Sequence, residues 1–474
     1  MSDFQNFIQG EWVASASTRP NLNPSNPSES LGNYAQADAK DVAHAVSAAK
    51  EASHAWSRST PQQRFDVLDF IGAEILARKQ ELGMLLAREE GKILPEAIGE
   101  VGRAGYIFKF FAGEALRLGG QALASVRPNM EVLTTREAVG VVGLITPWNF
   151  PIAIPAWKAA PALACGNAVV LKPSELTPAC AWALAEIVSR SGLPKGAFNL
   201  VMGDGLAGKT LVEHPDVDAI SFTGSSNTGK LIAQHCALHL KKFQLEMGGK
   251  NPLLILDDAD LNVAVECTVN GAFFSTGQRC TASSRTIVTE QIYDRFTEAV
   301  IARMQGLKVG AAIEASTHIG PVVNDTQLAK NLDYLKIAKD EGGNILCGGE
   351  RLDGSGYFFS PALIANNNPQ ARLNQEEVFG PVTTLVKVKN FEEGLAVANA
   401  TPYGLSGGIC TTSLKYATQF RREMQAGMVM VNAPTAGVDY HVPFGGSKAS
   451  SFGPREQGPM AVEFYTKVKT HYLA

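Results

Sequence analysis

The hydrophobic pattern changes its rhythm along the chain. Residues 1–30 show no periodicity, and Pro20, Pro24 and Pro27 interrupt them, so they read as an irregular arm. Residues 39–57 are Ala-rich with a helical repeat, and Pro61 starts a second helix that runs to about Lys79. Residues 80–117 continue as helix, with breaks near Gly91 and Pro95. Residues 130–146 place β-branched side chains at Val132, Thr134, Val139, Val141, Val142 and Ile145, which predicts two strands joined at Arg136-Glu137. Short apolar runs then alternate with helical stretches: 168–172, a helix around 178–190, 198–202 and 219–222. Buried runs spaced by helices predict βα units and a parallel sheet covered on both faces. A second series follows at 252–256, 285–288, 382–385 and 427–431. The tail, 463–470, alternates and predicts a last strand, of the kind that pairs with a neighbouring subunit because its edge is otherwise exposed.

A chain of 474 residues exceeds one simple core and predicts two or three subdomains. Net charge is −4, so no basic footprint for nucleic acid or an anionic membrane is present. No apolar run approaches the ~18 residues a membrane span needs. The start, Met1-Ser2-Asp3-Phe4, lacks the basic and apolar regions of a secretion signal, which makes a cytoplasmic protein the expectation. The seven cysteines are scattered and form no Cys-x-x-Cys pair, which argues for reduced thiols and against zinc. The eight histidines show no His-Glu-x-x-His spacing, so no metal is expected.

The chemistry begins with a misleading pattern. Gly203-Asp204-Gly205-Leu206-Ala207-Gly208-Lys209-Thr210 satisfies the phosphate-loop spacing and follows a strand, so a P-loop NTPase is the remote alternative. It leaves Cys280 unexplained. Gly277, Gln278, Arg279 and Thr281 flank that cysteine, which suits an accessible turn, and a neighbouring Arg279 favours thiolate. The dull reading, a small buried hydrophobe, is accepted for the other six cysteines. Glu246 stands before the tight Met247-Gly248-Gly249-Lys250 segment, where burial would raise a carboxylate toward a useful base. Asn149, in Pro147-Trp148-Asn149-Phe150-Pro151, is either a turn former or an oxyanion donor. Lys172-Pro173-Ser174-Glu175 ends a parallel strand, where open α/β sheets bind ligands. Phe222-Thr223-Gly224-Ser225 opens a helix and suits a pyrophosphate. Glu377-Val378-Phe379-Gly380-Pro381 joins an acid to an aromatic able to stack on a flat ring.

Together, in this order and with Pro443-Phe444-Gly445-Gly446, these segments resemble the aldehyde dehydrogenase superfamily from about residue 7 to the end. The resemblance implies an α/β fold with a Rossmann-like cofactor domain (1–118 and 140–246), an α/β catalytic domain (247–453), and a β-ribbon oligomerisation element with the tail (119–139 and 454–474). It implies Cys280 as nucleophile, Asn149 with the Cys280 N–H as oxyanion hole, and Glu246 as the base that hydrolyses a thioester. Lys172, also placed in the catalytic set, would contact the cofactor with Trp148, Ser174, Glu175, Gly224, Ser225, Gly248, Glu377 and Phe379. Phe150, Trp157, Arg279, Thr281 and Phe444 would line the substrate pocket. The cofactor is NADP or NAD, the partner a small aldehyde, and the assembly a homodimer or homotetramer, with no nucleic acid and no membrane. Many members carry Glu in the turn where this chain has Asn227.

Two branches fit. Succinate-semialdehyde members usually place Arg before the Lys at position 158, where this chain has Trp157. The runs Cys280-Thr281-Ala282-Ser283-Ser284-Arg285 and Phe452-Gly453-Pro454-Arg455-Glu456-Gln457-Gly458 are similar to 2-oxoglutarate-semialdehyde (2,5-dioxopentanoate) dehydrogenases. Oxidation of that aldehyde to 2-oxoglutarate is the implied activity, with succinate semialdehyde or a broad aldehyde range as alternatives.

Overall fold

The computed structural model describes residues 3–474. The apolar runs become strands of two separate sheets. In the first, Val141–Ile145, Ala168–Lys172, Phe198–Leu200, Ala219–Thr223 and Lys242–Glu246 lie parallel. Asn6–Ile8 and Glu11–Val13 extend one side, and Ser451–Phe452 adds to the other, all antiparallel. The two-residue side-chain period explains why a continuous apolar run is needed: Val169 and Leu171 enter one core, while Ala168 and Val170 enter the core on the opposite face. Helices Pro61–Ala77, Leu94–Ala115, Ala153–Ala164 and Pro178–Ser189 cover the first face. Ala39–Trp56, Gly205–Glu213 and Ser226–Leu238 cover the second.

Chain order sets where a ligand can enter. From Val141–Ile145 the chain moves outward through Ala168–Lys172 to Phe198–Leu200. It then returns to the other side of Val141–Ile145 with Ala219–Thr223. That reversal is a switch point, and the loops after the strand ends diverge there to leave a crevice.

The second sheet runs Asn344–Cys347, Ala362–Ala365, Val382–Val388, Ser283–Thr289, Asn251–Ile255, Ser406–Cys410, Met428–Val431, and only its first strand is antiparallel. Glu246 ends a strand of the first sheet and Asn251 begins a strand of the second, so residues 247–250 bridge the two sheets. Among the described residues, no helix is long and apolar enough to cross a membrane.

Three expectations need correction. The first thirty residues are not irregular: they hold Asp3–Phe4, Asn6–Ile8, Glu11–Val13, Thr18–Asn23 and Asn26–Ala35. The prolines fit because Pro20 lies on an edge strand, Pro24 in the turn, and Pro27 where the register shifts. The strands of 130–146 part at Val139-Gly140 rather than Arg136-Glu137, and they enter different sheets. Gly140 has φ +133 and packs on the Asp218 carboxylate, so only glycine fits that crossing. The tail strand is Thr466–Leu473, and it pairs antiparallel with Glu131–Ala138 of its own chain.

Candidate active site

The crevice at the switch point is a cavity of about 850 Å³. Trp148 follows the strand Val141–Ile145, Lys172 ends Ala168–Lys172 with Ser174 and Glu175 after it, and Gly224 and Ser225 follow Ala219–Thr223. All six line it. Ser225 caps the helix Ser226–Leu238 by accepting from the Thr228 N–H at 3.3 Å, so the positive helix end faces the cavity. Lys172 lies 3.5 Å from Glu175; burial draws its pKa down and Glu175 partly opposes this. A cationic group, a carboxylate and a helix N-terminus around one cavity of this size fit the ribose and pyrophosphate of a dinucleotide.

The cavity has a wall that motif reading missed. Gly205, Gly208 and Lys209 line it from the helix Gly205–Glu213. Residues 203–210 are therefore not a phosphate loop: they open a helix that walls the crevice. Asp204 caps the helix, and Lys209 sits inside it, 3.8 Å from Glu213, instead of at its open N-terminal turn.

A second cavity of about 200 Å³ shares Trp148, Gly224 and Ser225 with the first, and Cys280 stands in it with Asn149, Gly248, Glu377 and Phe379. These come from four loops that the two-sheet arrangement brings together. Gly249 passes so near the Cys280 carbonyl that a Cβ would lie 2.7 Å from it. Asn251 donates to the carbonyls of Cys280 and Ala282 at 2.8 and 2.9 Å, which pins the cysteine loop to the second sheet. Ser275 and Thr276 precede it in left-handed backbone, φ 50 and 55, a strained turn held by the Glu96 carboxylate, which accepts the Ser275 N–H at 3.1 Å. The Glu377 carboxylate accepts the Gly249 N–H at 2.9 Å, and a Cβ on Gly248 would fall 2.5 Å from it. Trp148 meets Phe379 edge to face at 5.3 Å.

Asn149 donates from Nδ2 to the Gln278 carbonyl at 2.9 Å, and its own carbonyl accepts Lys92 Nζ at 2.8 Å. The amide nitrogen carries two hydrogens, so one remains for a ligand. Lys92 is itself paired with buried Glu100 at 2.6 Å, and Glu100 accepts the N–H groups of Ile152 and Ala153. This ion pair fixes the Asn149 turn from below.

Burial pushes the Cys280 thiol up to about 12, with the Glu377 and Glu246 carboxylates adding to it; the Cys280 and Thr281 N–H groups oppose this. Glu246 is buried, and desolvation with Glu456 nearby raises it well above the ordinary carboxylate range. Its carboxylate accepts Ser451 Oγ at 2.6 Å, and Glu246 is not among the residues lining the cavity that holds Cys280.

The expected substrate residues are divided. Trp157 stacks on Phe444 at 5.3 Å, and Lys92 lies over the Phe150 ring at 3.9 Å. The Thr281 carbonyl accepts Thr435 Oγ1 at 2.7 Å. Arg279 is held elsewhere: its guanidinium donates to the Asn270 carbonyl, and it does not line the cavity with Asn149. Sequence reasoning missed Gln327 and Lys330, which do line it. Gln327 donates to the carbonyls of Val378 and Phe379, holding their loop. Their spacing on one helix, Asp325–Asp340, was the only available signal.

Comparison with known proteins agrees with this geometry. The model of the aldehyde dehydrogenase family matches residues 12–471. Alpha-ketoglutaric semialdehyde dehydrogenase of Bacillus subtilis is 42% identical, over 99% of this chain and 98% of that protein. Alpha-ketoglutarate semialdehyde dehydrogenase of Haloferax volcanii is 43% identical, again over 99% and 98%. The crystal structure of betaine aldehyde dehydrogenase from Staphylococcus aureus in complex with NAD+ superposes with a TM-score of 0.96 at 37% identity, covering 99% of this chain and 94% of that one.

Proposed function

The chain belongs to the aldehyde dehydrogenase family, and on that footing we propose that it oxidises 2-oxoglutarate semialdehyde to 2-oxoglutarate with NAD or NADP. The observation that carries the chemistry is the convergence of Cys280, Asn149 and Glu377 in a cavity continuous with the dinucleotide-sized crevice. The two semialdehyde dehydrogenases similar over the whole chain support the choice of aldehyde.

In this reading, Cys280 Sγ forms a bond to the aldehyde carbon. The oxygen that becomes negative is held by the free Asn149 N–H and the Cys280 backbone N–H, donors that are in place before charge develops. Bound cofactor supplies the hydride acceptor, with Lys172, Ser174 and Glu175 at one ribose and Glu377 at the other. Glu246 then leaves Ser451 and takes a proton from the water that attacks the thioester carbon. The acid departs and Cys280 Sγ keeps the electron pair of the broken C–S bond. The starting thiol is neutral, and its proton must leave the site before attack, so that the Glu246 carboxylate is unprotonated when it takes the later proton from water.

Glu175 favours a free ribose hydroxyl, whereas Lys172 and Lys209 are placed to meet a 2′-phosphate, so use of both cofactors is proposed. Residues 1–118 with 140–246 are assigned to cofactor binding, 247–453 to catalysis, and 119–139 with 454–474 to association. A homodimer or homotetramer is proposed because Thr466–Leu473 is an edge strand with exposed Val468, Tyr472 and Leu473.

The test is kcat/KM for 2-oxoglutarate semialdehyde and succinate semialdehyde, each with NAD and NADP. A preference of tenfold or more for 2-oxoglutarate semialdehyde, about 1.4 kcal/mol in transition-state binding, is expected. A reversed preference would reject the choice of aldehyde and leave the family reaction standing.

A further inference from the structure

The reaction explains Cys280, Asn149 and Glu246, but not three buried N–H donors that lie together beside them. Arg103 Nε, Trp157 Nε1 and Gln457 Nε2 are each buried without a hydrogen-bond partner among the described residues. They form one group. The guanidinium of Arg103 lies 5.7 Å from the Trp157 ring, and its Nη2 donates to Gln457 Oε1 at 3.1 Å. Trp157 stacks on Phe444, whose backbone pairs with Glu456, the neighbour of Gln457, at 2.7 and 2.8 Å.

The group adjoins the reacting centre. Gly445, next to Phe444, passes so near Glu246 that a Cβ would lie 3.0 Å from Oε1. Arg103 sits one helical turn after Glu100, which holds the start of the helix carrying Trp157. Burial draws the Arg103 pKa down, and Glu100 and an ionised Cys280 would oppose this. The acids near it are committed or distant from pairing: Glu100 is bonded to Lys92, and Asp439 is exposed.

Three buried donors with no acceptor cost stability unless a ligand supplies oxygen atoms. An α-keto acid presents three: two carboxylate oxygens and the keto oxygen beside them. A planar guanidinium suits the carboxylate. We propose that Arg103, aided by Gln457 and Trp157, receives the keto-acid end of the substrate and selects for it. Arg279, whose Nη2 donates to the Asn270 carbonyl, does not line the Cys280 cavity with Asn149 and is not part of this group. This rests on the semialdehyde reading above and names the group that enforces it.

The test uses the full chain with saturating cofactor. kcat/KM is measured for 2-oxoglutarate semialdehyde and for pentanal, a neutral aldehyde of equal length, in wild type, Arg103→Met, Arg103→Lys and Gln457→Leu. The expected result is a fall of roughly 10- to 100-fold in the ratio of the two values in Arg103→Met, through a raised KM for the charged substrate, as loss of a charged hydrogen bond implies. Arg103→Lys restores part of the ratio, and Gln457→Leu lowers it. An equal loss on both substrates would assign Arg103 a structural role only, and an unchanged ratio would remove it from recognition; either overturns the inference. Wild type without preference for the keto acid over pentanal would instead overturn the semialdehyde reading, and this inference with it.

Discussion

At the scale of single residues, the site is a set of costly placements that only chemistry explains. Cys280 is surrounded by carboxylates that oppose its ionisation, not by the Arg279 guanidinium that its neighbour in sequence suggests. The free thiol should therefore be inert at neutral pH. Alkylation of Cys280 by iodoacetamide is expected to keep rising with pH beyond 9, toward a midpoint near the thiol's pKa of about 12. A rate that levels off below pH 8 would show a thiolate already formed and would remove the need for a base. Cys280, Asn149 and Glu377 were legible in the sequence because each lies in a short turn whose glycines and prolines are local requirements. Arg103, Lys92 and Glu96 were not. They sit on or just before one helix, and their meaning comes from contacts with residues 275, 149 and 457 that no local pattern encodes.

At the scale of elements, the helix Leu94–Ala115 and the turn before it form a polar cluster under the site. Glu90 ends the preceding helix, is buried, and has no partner on either oxygen. Burial pushes its carboxyl to about 8, with Glu100 and Glu96 adding and Lys92 opposing. The native pKa exceeds the ordinary 4.5, so the native state holds a proton that the unfolded chain releases. The stability tied to that proton is complete below about pH 4.5 and is lost as pH rises through about 8. Glu90→Gln, which cannot ionise, should gain in Tm over wild type between pH 6 and pH 9. A difference in Tm that is flat across that range would contradict the assigned burial. Elements themselves were read well where one period persisted. The buried strand Ala168–Lys172 and the helices Ala39–Trp56 and Pro61–Ala77 emerged as expected. The N-terminal strands did not, because prolines read as breakers are tolerated on an edge and at a register shift, and neither is visible without the partner strand.

At the scale of the whole molecule, two parallel sheets meet end to end, and residues 247–250 lead from one into the other. The placement of Glu246 and Cys280 follows from that meeting. The ribbon of Glu131–Ala138 and Thr466–Leu473 stands apart, with apolar Val468 and Tyr472 exposed on its edge strand. Pairing of that edge with a second copy would satisfy its free backbone groups. Sedimentation of wild type should give a dimer or tetramer, and Val468→Lys with Tyr472→Lys should shift it to smaller species. A monomeric wild type would reject the assignment of the ribbon to association. The central claim is that the substrate becomes an acyl group on Cys280 that Glu246 helps to release. Glu246→Gln, mixed with oxidised cofactor and 2-oxoglutarate semialdehyde, tests it by mass spectrometry of the Cys280 peptide. The account predicts a 2-oxoglutaryl adduct on Cys280 that accumulates in the variant and is scarce in wild type. Continued oxidation of the aldehyde with Cys280 unmodified in both proteins would contradict it.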